Sequence, residues 1–156
     1  MKRVHFFASL AAVAAAAAVP AGASERYAVT HTDAQWKALL GSDRYYILRQ
    51  NGTEPAFSSP LIGEKRPGLY HCAGCKLAVF TSKTKYDSGD GWPSFWDVLP
   101  GTTRTRADHE LAQERTEVHC RRCGSHLGHI FDDGPAPTHL RYCIDGLALI
   151  FVPGAA

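Results

Sequence analysis

Four of the five cysteines form two C-x-x-C motifs, a spacing that lets two thiolates turn toward one metal ion. The pairs are Cys72 with Cys75 and Cys120 with Cys123. Two such pairs complete a tetrahedral four-sulfur site of the kind Zn²⁺ prefers, and that site leaves no open coordination position. The sequence therefore predicts one structural zinc ion per chain. The alternatives are a disulfide within each pair or a thioredoxin-like redox dithiol.

The fifth cysteine, Cys143, has neighbours that could make it reactive. Arg141 would lie on the same face of a strand, where its positive charge favours the nucleophilic thiolate. Upstream, His126 and His129 precede a carboxylate, Asp133, and such a group can donate a proton and orient the donor. The alternatives are an inert buried thiol and histidines that serve packing, solvation or zinc ligation.

A tryptophan lies in a short segment rich in glycine and proline. Gly89, Gly91 and Pro93 frame Trp92 and are typical of a fixed loop. An indole held in such a loop can form the wall of a pocket for a small group such as a methyl. The alternative is a core tryptophan at a turn.

The elements that must position these residues are mostly strands. One helical region is predicted from Thr30 to Arg49: Thr32 and Gln35 form a capping box, and Gly41 separates two short helices. Trp36, Leu39 and Leu40 are predicted to form its apolar face. Residues 53–68 are predicted to be an irregular connector. Short strands are predicted over residues 69–72, 77–81, 117–119, 129–131, 140–144 and 147–152.

Composition and the N-terminus limit the class of protein. With 45% hydrophobic, 10% aromatic and 21% charged residues, the chain is not a disordered tail. Residues 1–23 are predicted to be a secretory signal peptide, with Lys2 and Arg3 before an alanine-rich run; the alternative is an uncleaved N-terminal anchor. These two cations supply the whole net charge of +2, so no nucleic-acid partner is expected. The chain is therefore expected to be exported, with the periplasm as its compartment. No membrane association is expected after cleavage.

Together these segments resemble the B-type peptide methionine sulfoxide reductases, which act on the R epimer. The likeness covers residues 32–151 as one domain within 24–156. It is carried by Gly-Thr-Glu-Pro at 52–55, the two C-x-x-C motifs, residues 85–95, residues 126–134 and residues 141–143. The resemblance implies a mainly β fold of two antiparallel sheets with a helical cap and a structural zinc bound by four cysteines.

The resemblance also implies a mechanism. The Cys143 thiolate would attack the sulfoxide sulfur of a peptide-bound or free substrate, while His129 and His126 supply or relay a proton. Trp92 would hold the terminal methyl, and Asp133 and Arg141 would organise the histidines and the thiolate. We place Phe131 and Asp145 among the substrate contacts. Methionine would leave, and Cys143 would become a sulfenic acid.

Two positions depart from the family pattern. The position that carries a resolving cysteine in many members is Asp90 here, so an external thiol is expected to reduce the sulfenic acid. The donor would be a thioredoxin-like or glutaredoxin-like protein or a small thiol. Asp145-Gly146 replaces the usual Asn-Ser, and a carboxylate near the thiol opposes its ionisation.

The main expectation is an exported, monomeric enzyme that repairs oxidised proteins or peptides. A binding module that recognises oxidised methionine without turnover is the first alternative, because of Asp90 and Asp145. A general thiol–disulfide oxidoreductase that uses one C-x-x-C pair is the second.

Overall fold

The computed structural model describes residues 26–156, so the predicted signal peptide over residues 1–23 lies outside the described residues. The first element is helix α1, Asp33–Gln50. The predicted capping box is confirmed, because the Thr32 hydroxyl accepts from the Gln35 amide and the Gln35 side chain accepts from the Thr32 amide. Gly41 kinks the helix with φ 70° and ψ 174°, and Asn51 ends it in the left-handed conformation.

Helix α1 packs against the sheets through a narrow stripe. Trp36, Ile47 and Leu48 are buried. The prediction that Leu39 belongs to the apolar face is wrong: it is 62% exposed, because the stripe passes through Trp36 and the half-buried Leu40 instead. Arg49 links the helix to the turn that carries Cys123. Its guanidinium lies 4.6 Å from the centroid of the Trp36 ring and donates to the Cys123 carbonyl.

Two antiparallel sheets follow the helix, which confirms the predicted fold class. One sheet has the strand order β2-β1-β9 and the other has the order β3-β4-β8-β7-β6-β5. The strands are β1 Gly68–Cys72, β2 Ala78–Thr81, β3 Lys85–Tyr86, β4 Ser94–Phe95, β5 Thr103–Asp108, β6 Arg115–Cys120, β7 His126–Phe131, β8 Arg141–Ile144 and β9 Leu149–Pro153.

Aromatic side chains fill the space between the two sheets. Phe80 of β2 stacks on Phe95 of β4, with ring centroids 4.4 Å apart. Tyr70 of β1 meets the same Phe95 ring edge-on, and Phe80 also contacts Tyr142 of β8. Since such pairs add about 0.5–1.5 kcal/mol each beyond area burial, this cluster fixes how β8 sits on the first sheet.

The remaining segments are short. The connector over residues 53–68 is irregular as predicted, with one 3₁₀ turn at Pro60–Gly63. Two further 3₁₀ turns lie at Ser82–Thr84 and Gly146–Ala148. Within residues 26–156, no helix combines the length and apolar character needed to cross a membrane.

Candidate active site

Strands β7 and β8 bring the reactive residues together. In their antiparallel register, His129 lies opposite Cys143 and Phe131 lies opposite Arg141. Residues directly opposite each other in such a pair point to the same face, with Cβ atoms about 5 Å apart. The thiol, the imidazole, the guanidinium and the phenyl ring therefore share one face of the sheet, while Tyr142 and Ile144 face the core.

A cavity of about 360 Å³ opens on this face. Six of its lining residues were predicted to act at the site: Trp92, His129, Phe131, Arg141, Cys143 and Asp145. Thr53, Asp90 and Arg115 complete the lining. His126 and Asp133 do not line the cavity; each instead contacts a residue that does.

Gly128 allows β7 to approach β8, the strand that carries Cys143. A Cβ at this position would lie 2.1 Å from the carbonyl oxygen of Cys143, so no other residue fits without moving the backbone. The register of β6 and β7 shifts beside Gly128, and this irregularity places both His126 and His129 near the site. Their rings meet edge-on with centroids 5.3 Å apart.

The resting form of Cys143 is the thiol. Burial raises the pKa of Cys143 to about 11, with Arg141 lowering it and Asp145 and Asp90 raising it. Arg141 favours the thiolate as expected, but it lowers the pKa by less than burial raises it. Desolvation of the charged form outweighs the cation, so this environment favours the thiol over the thiolate.

Arg141 forms ion pairs with two carboxylates. The guanidinium makes a bidentate pair with Asp133 at 2.8 Å for both bonds, and a second ion pair with Asp90. These partners raise the pKa of Arg141, and the guanidinium lowers the pKa of Asp133. Arg141 also lies 4.4 Å from the centroid of the Phe131 ring, which fixes its position over the sheet face.

His129 is oriented from outside the cavity. Its Nε2 donates to Asp108 Oδ2 at 2.7 Å, and Arg115 pairs with the same oxygen at 2.7 Å. Burial lowers the pKa of His129, although the bond to Asp108 opposes this shift. The Asp108 pKa is held at about 2 by the Glu110 amide, by His129 and by Arg115. A neutral imidazole with a fixed ring therefore faces the cavity at neutral pH.

His126 lies behind His129, with its side chain 1% exposed. Its Nδ1 donates to Glu117 at 2.8 Å, and its Nε2 lies 3.8 Å from Asp145 Oδ2. Burial raises the pKa of Glu117, but bonds from His126 and Arg106 outweigh it and hold the pKa at about 2. The geometry makes His126 a link between two buried carboxylates and not a lining residue of the cavity.

Asp145 lies at the inner end of the cavity. It is 4% exposed, and its Oδ1 accepts the Glu54 amide at 2.9 Å. Burial raises the pKa of Asp145 to about 6; the Glu54 amide and His126 lower it, and the Glu54 carboxylate raises it. This carboxyl group therefore titrates in the range where enzymes operate.

A side-chain bond ties the indole of Trp92 to the connector over residues 53–68. The indole Nε1 donates to the Glu54 carbonyl at 3.0 Å. The ring is half-buried and lines the cavity, so its apolar faces remain available to a ligand.

The other four cysteines form a separate cluster. Their sulfurs all lie within 4.8 Å of one another, with 3.7 Å between Cys72 and Cys123 and 3.6 Å between Cys75 and Cys120. A tetrahedral site with Zn–S bonds of about 2.3 Å requires sulfur separations of about 3.8 Å, so the cluster fits zinc. One pair lies at the turn between β1 and β2 and the other between β6 and β7, so the cluster joins the two sheets.

Four residues that orient this site were not singled out from the sequence. Glu54 was noted only within a motif, and Asp108, Glu117 and Arg115 were not noted for any role. Asp108 lies on β5 and Arg115 and Glu117 on β6, so only the pairing of β5, β6 and β7 brings them to the histidines. The sequence does not show whether a charged residue in a strand is exposed or buried. Glu117 precedes the buried Val118 and would be expected to face solvent, but it is only 3% exposed.

Comparisons with known proteins agree with this geometry. The SelR domain family matches residues 40–153. A protein of Methanosarcina barkeri called peptide methionine sulfoxide reductase MsrB is 49% identical over 125 residues, which span 80% of this chain and 88% of its own. Proteins of the same name from Agrobacterium fabrum and Thiobacillus denitrificans are 46% and 50% identical, over 80% and 78% of this chain and 93% of each relative.

Proposed function

Because the chain belongs to the SelR domain family, in which its curated relatives are peptide methionine sulfoxide reductases, we propose that it reduces methionine sulfoxide in oxidised peptides and proteins. The observation that carries the proposal is the cavity in which Cys143, the cysteine outside the four-sulfur cluster, meets His129 and Trp92. Each epimer of methionine sulfoxide has its own reductase, and we assign the R epimer to this chain.

Cys143 carries the first step. Its sulfur attacks the sulfoxide sulfur and forms an S–S bond, while the S–O bond breaks and the oxygen leaves as hydroxide. The hydroxide then attacks the Cys143 sulfur, which breaks the S–S bond, releases methionine and leaves Cys143 as a sulfenic acid. The substrate sulfur gains two electrons and the cysteine sulfur loses two. The thiol proton is conserved in this exchange, because it ends on the oxygen of the sulfenic acid.

His129 is the group placed to move that proton. It lies opposite Cys143 in the strand pair, and Asp108 holds the ring from behind. A sulfoxide oxygen leaves as hydroxide far more readily than as oxide, so protonation has to accompany attack. The imidazole takes the proton from the thiol and delivers it to the oxygen. His126, bound to Glu117, supports the ring of His129 and does not contact the substrate.

Trp92 and Phe131 provide the apolar part of the cavity. The methyl group on the sulfoxide sulfur is the apolar group closest to the reacting atom, and we assign it to the indole face. The cavity is open to solvent at Asp90 and Arg141, where the peptide chain of the substrate would leave. This arrangement is compatible with both free and peptide-bound substrates.

The sulfenic acid is reduced by an external thiol. The other four cysteines lie in the cluster, and Asp90 occupies the loop beside Arg141. A donor thiol condenses with the sulfenic acid to a mixed disulfide and water, and a second thiol releases Cys143 and leaves an oxidised donor. A thioredoxin-like or glutaredoxin-like protein or a small thiol meets this requirement. An intramolecular disulfide to Cys143, detected by mass spectrometry in the zinc-loaded oxidised protein, would contradict this cycle.

We assign zinc to the four-sulfur cluster as a structural ion, since four thiolates fill its coordination sphere. A zinc ion there supplies no step of the reaction. Its removal by a chelator is expected to loosen the junction of the two sheets.

We also propose that the chain is exported by the segment over residues 1–23 and acts as a monomer outside the cytoplasm. Cell fractionation with N-terminal sequencing tests cleavage after Ala23. A mature protein that retains residues 1–23 in the cytosol would contradict the export proposal.

The deciding experiment is turnover with a single epimer. Residues 24–156 are given a short peptide with R or S methionine sulfoxide and dithiothreitol, beside Cys143→Ser. Loss of the R epimer alone, abolished in the variant, is the expected result. The S epimer serves as the matched control within each reaction.

A second candidate function is recognition of oxidised methionine without turnover. Asp90 and Asp145 both raise the pKa of Cys143, and this favours an unreactive thiol. Under this alternative, the folded, zinc-loaded protein binds the R-sulfoxide peptide in calorimetry and leaves it unreduced.

A further inference from the structure

Glu54 is a buried carboxylate that stands outside the reaction as described so far. It is 4% exposed. Burial raises the pKa of Glu54, while hydrogen bonds from the main-chain amides of Gly146 and Leu147 lower it. These amides reach opposite oxygens of the carboxylate, so the side chain closes the turn that follows Cys143.

The main chain of Glu54 makes two further contacts with residues of the cavity. Its carbonyl accepts the indole N–H of Trp92 at 3.0 Å. Its amide donates to Asp145 Oδ1 at 2.9 Å. One residue therefore holds the indole loop with its carbonyl and the turn after the nucleophile with its amide and its carboxylate.

We propose that Glu54 is a positioning residue that sets the distance between the Trp92 indole and the Cys143 thiol. The inference rests on the proposed function, since it concerns the placement of the sulfoxide between these two groups. Glu54 acts through Trp92 and through the turn at Gly146, and it does not touch the substrate.

The turn at Gly146 packs tightly against the connector, which leaves no room for a side chain at this position. A Cβ on Gly146 would lie 1.9 Å from Ser59 Oγ and 3.1 Å from Glu54 Oε1. The backbone of the turn therefore lies against the connector that carries Glu54. A shift of Glu54 is transmitted to Gly146, and through the two residues before it to Cys143.

Glu54→Gln is the direct test. The amide side chain keeps one acceptor but turns an NH₂ group toward a main-chain N–H, so one charge-assisted bond is lost. A bond of that kind corresponds to a fall in kcat/KM of about 10- to 100-fold, and we expect KM to rise at least about 5-fold within it. Glu114→Gln is the matched control, since that carboxylate is 68% exposed and contacts His109.

A double-mutant cycle separates positioning from general damage. Trp92→Phe removes the indole N–H and with it the bond to the Glu54 carbonyl. If Glu54 acts through the indole, Glu54→Gln raises KM in the wild-type background and adds little in the Trp92→Phe background. Independent, multiplicative effects on KM would overturn the proposal.

Hydrogen exchange gives a readout that does not depend on turnover. In Glu54→Gln, the indole N–H of Trp92 is expected to exchange faster, while those of Trp36 and Trp96 stay unchanged. In Trp92→Phe, the amides of Gly146 and Leu147 are expected to lose protection in turn, and this arm needs no variant at Glu54. Unchanged exchange at both ends would refute the link. If the wild type fails to reduce the R epimer, the proposed function fails, and the exchange data still judge the role of Glu54.

Discussion

Replacing Asp145 by Asn should change how the reactivity of the Cys143 thiol depends on pH. The carboxyl group is 4% exposed, and burial raises its pKa to about 6. The groups that face it are His126 on β7, Glu54 on the connector and Cys143 on β8. Asn keeps an oxygen for the Glu54 amide and removes the charge, so the variant isolates the electrostatic effect.

The size of the effect follows from the backbone spacing. Asp145 comes directly after β8 with an extended backbone, and two residues of extended chain, the step from Cys143 to Asp145, span about 7 Å. At an effective dielectric constant of about 20, two like charges at that distance repel by about 2 kcal/mol, which is somewhat more than one pKa unit. The Cys143 pKa, about 11 with the present neighbours, is therefore expected to fall by about one unit in the variant.

The shape of the profile follows from coupled titration. Below the Asp145 pKa of about 6, the carboxyl is neutral and the thiolate fraction rises tenfold per pH unit. As Asp145 ionises, it opposes ionisation of Cys143, so the logarithm of the rate at which iodoacetamide alkylates Cys143 in the wild type should level off for about one unit and then rise again. Asp145→Asn should rise without this step and exceed the wild type about tenfold near pH 8.

The assay is the rate of alkylation of Cys143 by iodoacetamide from pH 5 to 9, with Asp43→Asn on the exposed face of α1 as the matched control. Stability gives a second readout. Because the folded pKa of Asp145 is raised to about 6, its stabilising contribution is present below about pH 4 and is lost as pH rises through about 6. In urea unfolding, the variant should therefore be about 2–3 kcal/mol more stable than the wild type at pH 8 and equal to it at pH 4. A wild-type profile without a step, or a stability gap that is the same at both pH values, would refute this reasoning.

Three further outcomes are expected. Cys120→Ser should lose the single zinc ion seen by elemental analysis and lower Tm by more than 10 °C, because a structural zinc–thiolate site contributes several kcal/mol; retention of both metal and Tm would contradict the four-sulfur assignment. Asp108→Asn should lower kcat about tenfold with little change in KM, since it releases the ring of His129; an NMR titration should show a lower His129 pKa, and an unchanged titration would count against the orienting role. Asp90→Asn should lower the Cys143 pKa by a few tenths of a unit, because Asp90 now raises it; alkylation by iodoacetamide against pH measures this shift, and an upward shift would contradict it.

The sequence was most informative where a local rule decides the structure. The capping box at Thr32, the break at Gly41 and the end of the helical region near Arg49 are confirmed because each depends on residues within a few positions of one another. The two C-x-x-C motifs come together as predicted, since each lies at a turn between paired strands. Strand positions were predicted to within a few residues wherever apolar side chains alternate.

The residues missed by sequence analysis depend on strand pairing. Strand β5, Thr103–Asp108, has no buried residue, and its polar side chains show no alternating apolar pattern. Its identity as an edge strand comes from hydrogen bonds to β6, and only that pairing brings Asp108 to His129. Strands β3 and β4 have two residues each, which is too short for a periodic signal.

The same limit applies to the net effect of the neighbourhood on Cys143, of which sequence analysis identified only part. The position of Arg141, two residues from Cys143, correctly predicts that both side chains share a face. The pKa of Cys143, however, depends on every charged group around it and on burial. Asp133 and Asp90 both reach the guanidinium, and burial of the thiol costs more than the shared cation returns. A thiol with a pKa of about 11 is a poor target for peroxide, since the thiolate is the form that oxidants attack. In the mechanism that we propose, the site keeps Cys143 protonated until a substrate brings both an electrophilic sulfur and an oxygen that can accept the proton, so its reactivity is matched to the sulfoxide and not to oxidants in general.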